Sequence, residues 1–174
     1  MMEPTPVGDA GGEAFERFYR SEIHVLTTLA ASLTGDVGGA AEIAQEALLR
    51  AYRAWPRVAA LDKPGAWVRR VTMNLAIDAS RRVRTERRMN SRLATADSAQ
   101  ADDTVDDSFW AEVRRLPERQ RSVVALRYVD DMSLEDVGRT LGISVGTVKS
   151  ALFAARRTLA DRLQLEEGHD ADIR

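Results

Sequence analysis

Residues 133–159 read SLEDVGRTLGISVGTVKSALFAARRTL, and a chain that contains them has little freedom in how it folds there. Ser133 opens a helix, and Asp136 three positions on completes a capping box of the Ser-x-x-acid kind. Leu134, Val137 and Leu141 recur at helical spacing and face one side. Gly142 supplies the positive backbone angle that ends such a helix, Ile143 plugs the corner, and Ser144 caps a second helix that runs to about Leu159. The pattern predicts a helix-turn-helix. In its second helix Val148, Leu152, Ala155 and Leu159 form the inward stripe, which leaves Gly146, Thr147, Ser150, Phe153, Ala154 and Arg157 opposite. Small residues on that face allow close approach to DNA, where Lys149, Arg156 and Arg157 would hold phosphates and Thr147 and Ser150 would touch base edges. A helical hairpin used for protein packing is the other reading of the same pattern.

A formal net charge of −2 argues against a polyanionic partner only if the charge is evenly spread, and it is not. Residues 1–49 carry 8 acids against 2 bases, whereas residues 50–92 carry 12 bases against 3 acids. Residues 94–112 hold 6 acids and no base, and residues 113–162 return to 10 bases against 6 acids. Two basic blocks around an acidic connector suit two separated contacts with a nucleic acid.

The Pro- and Gly-rich residues 1–12 read as a disordered lead-in. A first helix follows, with Phe15, Phe18, Tyr19, Leu26, Leu29, Ala30 and Leu33 at helical spacing and Gly35 at its end. The second spans about residues 40–55, with Ile43, Ala44, Ala47, Leu48, Ala51 and Tyr52 as its apolar stripe and Pro56 as its stop. A loop at residues 57–63 precedes a third helix, which begins near Pro64 and runs into a basic extension. Residues 89–108 lack apolar periodicity and read as a flexible acidic linker, able to span on the order of 70 Å when extended. Helices over about 109–115 and 119–128 lead into the helix-turn-helix, and residues 164–174 form a frayed tail. No segment alternates as a strand would. The predicted fold is all-α: two small helical domains, residues 13–88 and 109–163, joined by the linker.

On a helical wheel the third helix turns Val68, Val71, Thr72, Leu75, Ala76 and Ala79 inward. Trp67, Arg70, Asn74, Asp78 and Arg81 share another stripe. Aligned this way, an indole, guanidiniums and an amide can stack on an unpaired base, bind phosphate and read a base edge; a solvated polar face fits too. On the second helix Glu42, Gln45 and Glu46 share an outward face, open to a partner protein or simply to water.

Taken together, residues 13–163 resemble an extracytoplasmic-function sigma factor of bacterial RNA polymerase. AEIAQEALLRAYRAW resembles the core-binding helix of sigma region two, PGAWVRRVTMNLAIDASRR its minus-ten helix, and LPERQRSVVALRYVDDMSLEDVGRTLGISVGTVKSAL sigma region four, which reads the minus-thirty-five element. The resemblance implies that Glu42, Gln45, Glu46, Leu49 and Arg50 contact core polymerase at the coiled coil of its largest subunit, with the flap as a further docking point. It implies minus-ten contacts by Asp62, Lys63, Trp67, Arg70, Asn74, Asp78 and Arg81, with residues 57–63 helping to capture a flipped base. Minus-thirty-five contacts fall to Ser144, Thr147, Lys149, Ser150, Arg156 and Arg157. Ala151 and Ala154 stand where relatives often carry bases, so thymine methyls or DNA shape become the expected signal there. The function implied is that of an alternative sigma factor, under the control of an anti-sigma factor; a dimeric helix-turn-helix regulator is the rival and leaves residues 13–88 without a task.

No enzyme is expected, with no catalytic set, no metal site and no cofactor. His24 and His169 are isolated, and His24 is expected to be a partly buried structural residue of the first helix. The chain has no cysteine, no signal segment at its start and no apolar run near the roughly 20 residues that span a bilayer, which points to a cytoplasmic protein without membrane insertion.

Overall fold

The computed structural model describes residues 9–90 and 107–163, and among these the backbone is helical between short connections, with no strand. Helix α1, Asp9–Thr34, takes in residues 9–12 of the expected lead-in; residues 1–8 lie outside the described part. Once a long helix is nucleated, adding a turn is cheap. Helix α2, Val37–Arg53, starts ahead of Ala40 because Asp36 caps it, accepting a 3.0 Å hydrogen bond from the Gly39 N–H. Pro56 does end α2, yet it also opens α3, Trp55–Val58, so part of the expected loop is a helical turn. Proline costs nothing in a first turn, where its missing N–H has no helical partner.

Helix α4, Pro64–Asn90, and helix α5, Asp107–Arg114, each run two residues into the expected linker; its residues 91–106 lie outside the described part. Helices α6, Glu118–Tyr128, α7, Leu134–Leu141, and α8, Val145–Leu163, complete the chain. The tail at 164–174 is not among the described residues.

The helix-turn-helix forms as its caps require. Ser133 Oγ accepts from the Asp136 N–H at 3.1 Å, Gly142 is left-handed at φ 68°, and Ser144 Oγ accepts from the Thr147 N–H at 3.1 Å. Gly138 is buried where α7 crosses the turn, and a Cβ there would stand 2.8 Å from the Ile143 carbonyl oxygen. Only glycine lets the two backbones approach so closely.

Two apolar clusters hold the helices together. One lies within α1, α2 and α4 and contains Leu26, Ala44, Ala47, Leu48, Ala51 and Val68. Beside it the Phe15 ring packs edge-on against Tyr52 at 5.0 Å and Trp55 at 5.1 Å. The other is shared by both halves of the chain: Leu29 and Leu33 of α1 and Met73 and Ala76 of α4 meet Val113, Leu116, Val123, Val124 and Leu126. The two units therefore pack against one another. Met73 and Ile77, outside the predicted inward stripe of α4, are buried because α4 touches α1 and α2 as well as α7. Each such side chain stabilises the packing by about 1.5–3 kcal/mol.

Candidate nucleic-acid interface

The first candidate surface is the outer face of α2. Glu42, Gln45, Leu49 and Arg50 are exposed there and Glu46 is half-buried. Arg50 Nε donates to Glu46 Oε1 at 2.8 Å, one helical turn away, which holds both side chains along the face. Tyr52, expected on the inward stripe, is 40% exposed and Leu49 41%, so apolar groups accompany the charges. A polar face carrying exposed apolar residues suits docking to a protein.

The second surface is α4. Arg70, Asn74, Asp78 and Arg81 are exposed and Trp67 is half-buried, on one stripe that covers about 21 Å from Trp67 to Arg81 at 1.5 Å per residue. Asp62 and Lys63 are exposed just ahead of the helix. The structure thus sets the five sequence-predicted residues of α4 along one side of the helix, with Asp62 and Lys63 exposed ahead of it. It also places the C-terminal unit against that side. Lys63 is ion-paired with Asp136 and Arg81 with Glu118, while a Cβ at Gly142 would lie 3.7 Å from Arg70 Nη1.

Sequence reasoning missed Arg69. Its guanidinium donates to Glu22 Oε2 at 2.6 Å and to both oxygens of Asp130, through Nε and, at 3.2 Å, through Nη2. The three side chains are only 10–16% exposed. One signal pointed to the cluster: Glu22 interrupts the apolar spacing Phe18, Glu22, Leu26 on α1, and an acid on an inward stripe needs a partner. Burial pushes the Glu22 carboxyl above its usual range; Arg69 counters this and Asp130, a second negative charge, adds to it. Asp136 differs, since Lys63 first, then Ser133 and Arg139, hold its carboxyl well below the usual carboxylate value.

The third surface is α8. Ser150, Phe153 and Arg157 lie along its outer face, with Lys149 and Arg156 beside them, all exposed, and Phe153 is 71% exposed. Ser144 and Thr147 stand at the N-terminal end, their hydroxyls 2.8 Å apart, and Ser150 Oγ donates to the Gly146 carbonyl at 2.9 Å. Arg156 Nε donates to the Tyr128 hydroxyl at 3.0 Å, which aims its guanidinium along the surface. Ala151 is buried, so it belongs to the inward stripe and lies away from the face expected to read DNA; Ala154 is half-buried.

His24 is exposed, in contrast to its expected part-burial, and His169 lies outside the described residues. Among the described residues no group of His, Asp and Glu could hold a metal, and no helix is long and apolar enough to cross a membrane. A cleft of about 450 Å³ between the units is lined by Arg81, Arg115, Arg121, Arg162 and Glu118. Three of its guanidiniums already face carboxylates, Arg81 that of Glu118 and both Arg115 and Arg162 that of Glu112.

Known proteins share this sequence and this arrangement. Residues 18–88 match the family described as Sigma-70 region 2, and residues 106–159 match Sigma-70, region 4. An RNA polymerase sigma-E factor of Streptomyces avermitilis is 34% identical over 92% of this chain and 89% of that protein. The ECF RNA polymerase sigma factor SigW of Bacillus subtilis is 29% identical over 84% of this chain and 85% of its own. The sigma factor RpoE, solved in complex with the anti-sigma factor NepR from Bartonella quintana, shares the fold at a TM-score of 0.69 and 22% identity, over 88% of this chain and 99% of that one.

Proposed function

Because the chain belongs to the extracytoplasmic-function sigma factors, alternative sigma factors that initiate transcription, we propose how its surfaces divide that work. The α2 face, Glu42, Gln45, Glu46, Leu49 and Arg50, docks on the coiled coil of the largest subunit of core RNA polymerase, with the flap as a second contact for the C-terminal unit. Trp67, Arg70, Asn74, Asp78 and Arg81, with Asp62 and Lys63, engage the minus-ten element. Thr147, Lys149, Ser150, Arg156 and Arg157, with Ser144 at the helix start, engage the minus-thirty-five element. The observation that carries this reading is the single exposed stripe on α4 that sets an indole beside guanidiniums and an amide. On a duplex such a stripe has no use for Trp67; on a melted strand the indole can stack on an unpaired base at about 1–3 kcal/mol per base.

Strand opening in this scheme draws on binding energy. Extruding a base costs a few kcal/mol, and stacking on Trp67 together with phosphate contacts by Lys63, Arg70 and Arg81 offsets that cost. On α8 the exposed Phe153 and the small side chains favour contact with thymine methyls and with groove shape over arginine-to-guanine pairing. The chain then acts as a specificity subunit with no chemistry of its own, in the cytoplasm where the polymerase works. The RpoE complex with NepR supports an anti-sigma factor as a further partner.

Run-off transcription with core polymerase tests this, on promoters selected from a random library by the reconstituted holoenzyme. A discrete, promoter-dependent transcript is expected. A chain that binds a palindromic duplex by itself and gives no transcript with core would sink the assignment.

A further inference from the structure

The end of α6 carries a side chain that none of the three surfaces includes. Tyr128 is the last residue of that helix and is 47% exposed, and its hydroxyl accepts from Arg156 Nε of α8 at 3.0 Å. Both groups stand on helices that the core locks together, since Val124 and Leu126 of α6 and Leu152, Ala155 and Leu159 of α8 are buried in one cluster. The contact therefore joins two fixed elements, and what it restrains is the arginine side chain. With Nε turned to the phenol, the terminal nitrogens of Arg156 keep their donors, and the phenol, used as an acceptor, keeps its own O–H to donate. Among the described residues the partner of Arg156 is this phenol and not a carboxylate. Arg127, next to Tyr128 in sequence, is engaged in the turn, where it donates to Asp131 Oδ1 at 2.7 Å and to the Met132 carbonyl at 3.4 Å.

The place of Arg156 along α8 sets what the pair can reach. A recognition helix that enters the major groove by its N-terminal end brings Thr147 and Ser150 near base edges. Arg156 lies about 13.5 Å beyond Thr147 along the axis at 1.5 Å per residue, close to the roughly 12 Å width of the groove. Donors that far back meet the phosphates that wall the groove, not the bases. We infer that Tyr128 and Arg156 form one phosphate clamp at the wall of the minus-thirty-five groove: Tyr128 orients the guanidinium, and its own O–H donates to the same phosphate. Fixing a free arginine on a phosphate loses rotamer entropy, and here the phenol has imposed part of that loss before DNA arrives. The inference rests on the proposed minus-thirty-five role of α8 and adds to it a positioning residue outside the helix-turn-helix. A bond that served only to tie α6 to α8 would add stability and leave every phosphate contact unchanged.

The test uses reconstituted holoenzyme and its selected promoters, with phosphates of the minus-thirty-five element replaced one at a time by uncharged methylphosphonate. Arg156→Ala should abolish the penalty of that replacement at one phosphate, which locates the clamp. Tyr128→Phe keeps the ring and removes only the hydroxyl. It should weaken promoter binding about three- to ten-fold and shrink the methylphosphonate penalty at that same phosphate by a similar factor. The penalty at the phosphate that Lys149→Ala locates should stay as in the wild type, and Tyr128→Phe should cost less in an Arg156→Ala background than alone. Unchanged binding by Tyr128→Phe, or a loss spread evenly over all phosphates, would overturn the inference while leaving Arg156 on its phosphate. If Tyr128→Phe loses helix content by circular dichroism, Arg156→Lys gives the same comparison: it keeps the charge, has no Nε to orient, and should show the same fall at the same phosphate. An Arg156→Ala holoenzyme whose penalties match the wild type at every phosphate would instead remove the proposed role of Arg156, and the clamp with it.

Discussion

Helices α4 and α8 carry the two candidate DNA surfaces, and they meet their surroundings in opposite ways. On α8 the basic residues Lys149, Arg156 and Arg157 are exposed, and the neighbour of Arg156 is a tyrosine hydroxyl. On the α4 side Lys63, Arg69 and Arg81 are each matched to a carboxylate of the other unit. The difference fits the two tasks proposed for these helices. A surface that finds a duplex can stand ready, because weak phosphate contacts made in the wrong place dissociate again. Lys63 and Arg81, by contrast, would have to exchange a carboxylate for a phosphate before binding a strand.

That contrast can be broken first in the core. Leu29→Ala removes a side chain from the cluster shared by both units, whereas Leu48→Ala removes one from the cluster confined to the N-terminal unit. Each should cost about 2–5 kcal/mol in urea unfolding. Only Leu29→Ala should also loosen amide hydrogen-exchange protection in α5 and α6; equal protection in the two variants would mean that the units are not coupled through this core. Next in size, Trp67→Ala or Asn74→Ala should lower promoter opening by roughly ten- to a hundred-fold in a permanganate footprint, with a smaller effect on initial duplex binding. Equal losses in both assays would remove the special role of the α4 stripe.

Smaller effects sharpen the other side. Lys149→Ala on α8 should weaken minus-thirty-five binding evenly across sequences and reduce the salt slope by about 1. A change in base preference would show that Lys149 reads bases. Smallest is a pH effect at the contact between the units. The Asp136 carboxyl is held below its usual 3.8, so its stabilising contribution is complete above that value and is lost as pH falls through the lower value of the folded protein. Asp136→Asn should therefore be less stable than the wild type near neutrality, and the gap in urea midpoint should narrow as pH drops below 3.8.

The residues that were legible are those whose physics is local. Ser133, Gly142 and Ser144 announce the caps of α7 and α8, and Val148, Leu152, Ala155 and Leu159 lie inward as their spacing requires. The candidate surfaces on α2, α4 and α8 follow from the same arithmetic, because opposite an inward stripe lies an outward one. Contacts between units follow no periodicity along the chain. Met73 falls off the inward stripe of α4 and is buried in the cluster that both units share, and Arg69 adjoins Arg70 in sequence yet turns to Glu22 and Asp130. Ala151 was legible as small but not as inward, since one position on a helix decides which way it faces. Pro56 shows a different limit: the property of proline that ends α2 also favours the start of α3.

The buried Gly138 has a bearing on how such a protein changes over time. Because the Ile143 carbonyl lies where a side chain at 138 would begin, main chain sets the pitch of α8 against α7. Outward side chains of α8 can then be exchanged one by one without tilting the helix, so a duplicated copy of this chain could acquire a new outer surface while still presenting it at the old angle.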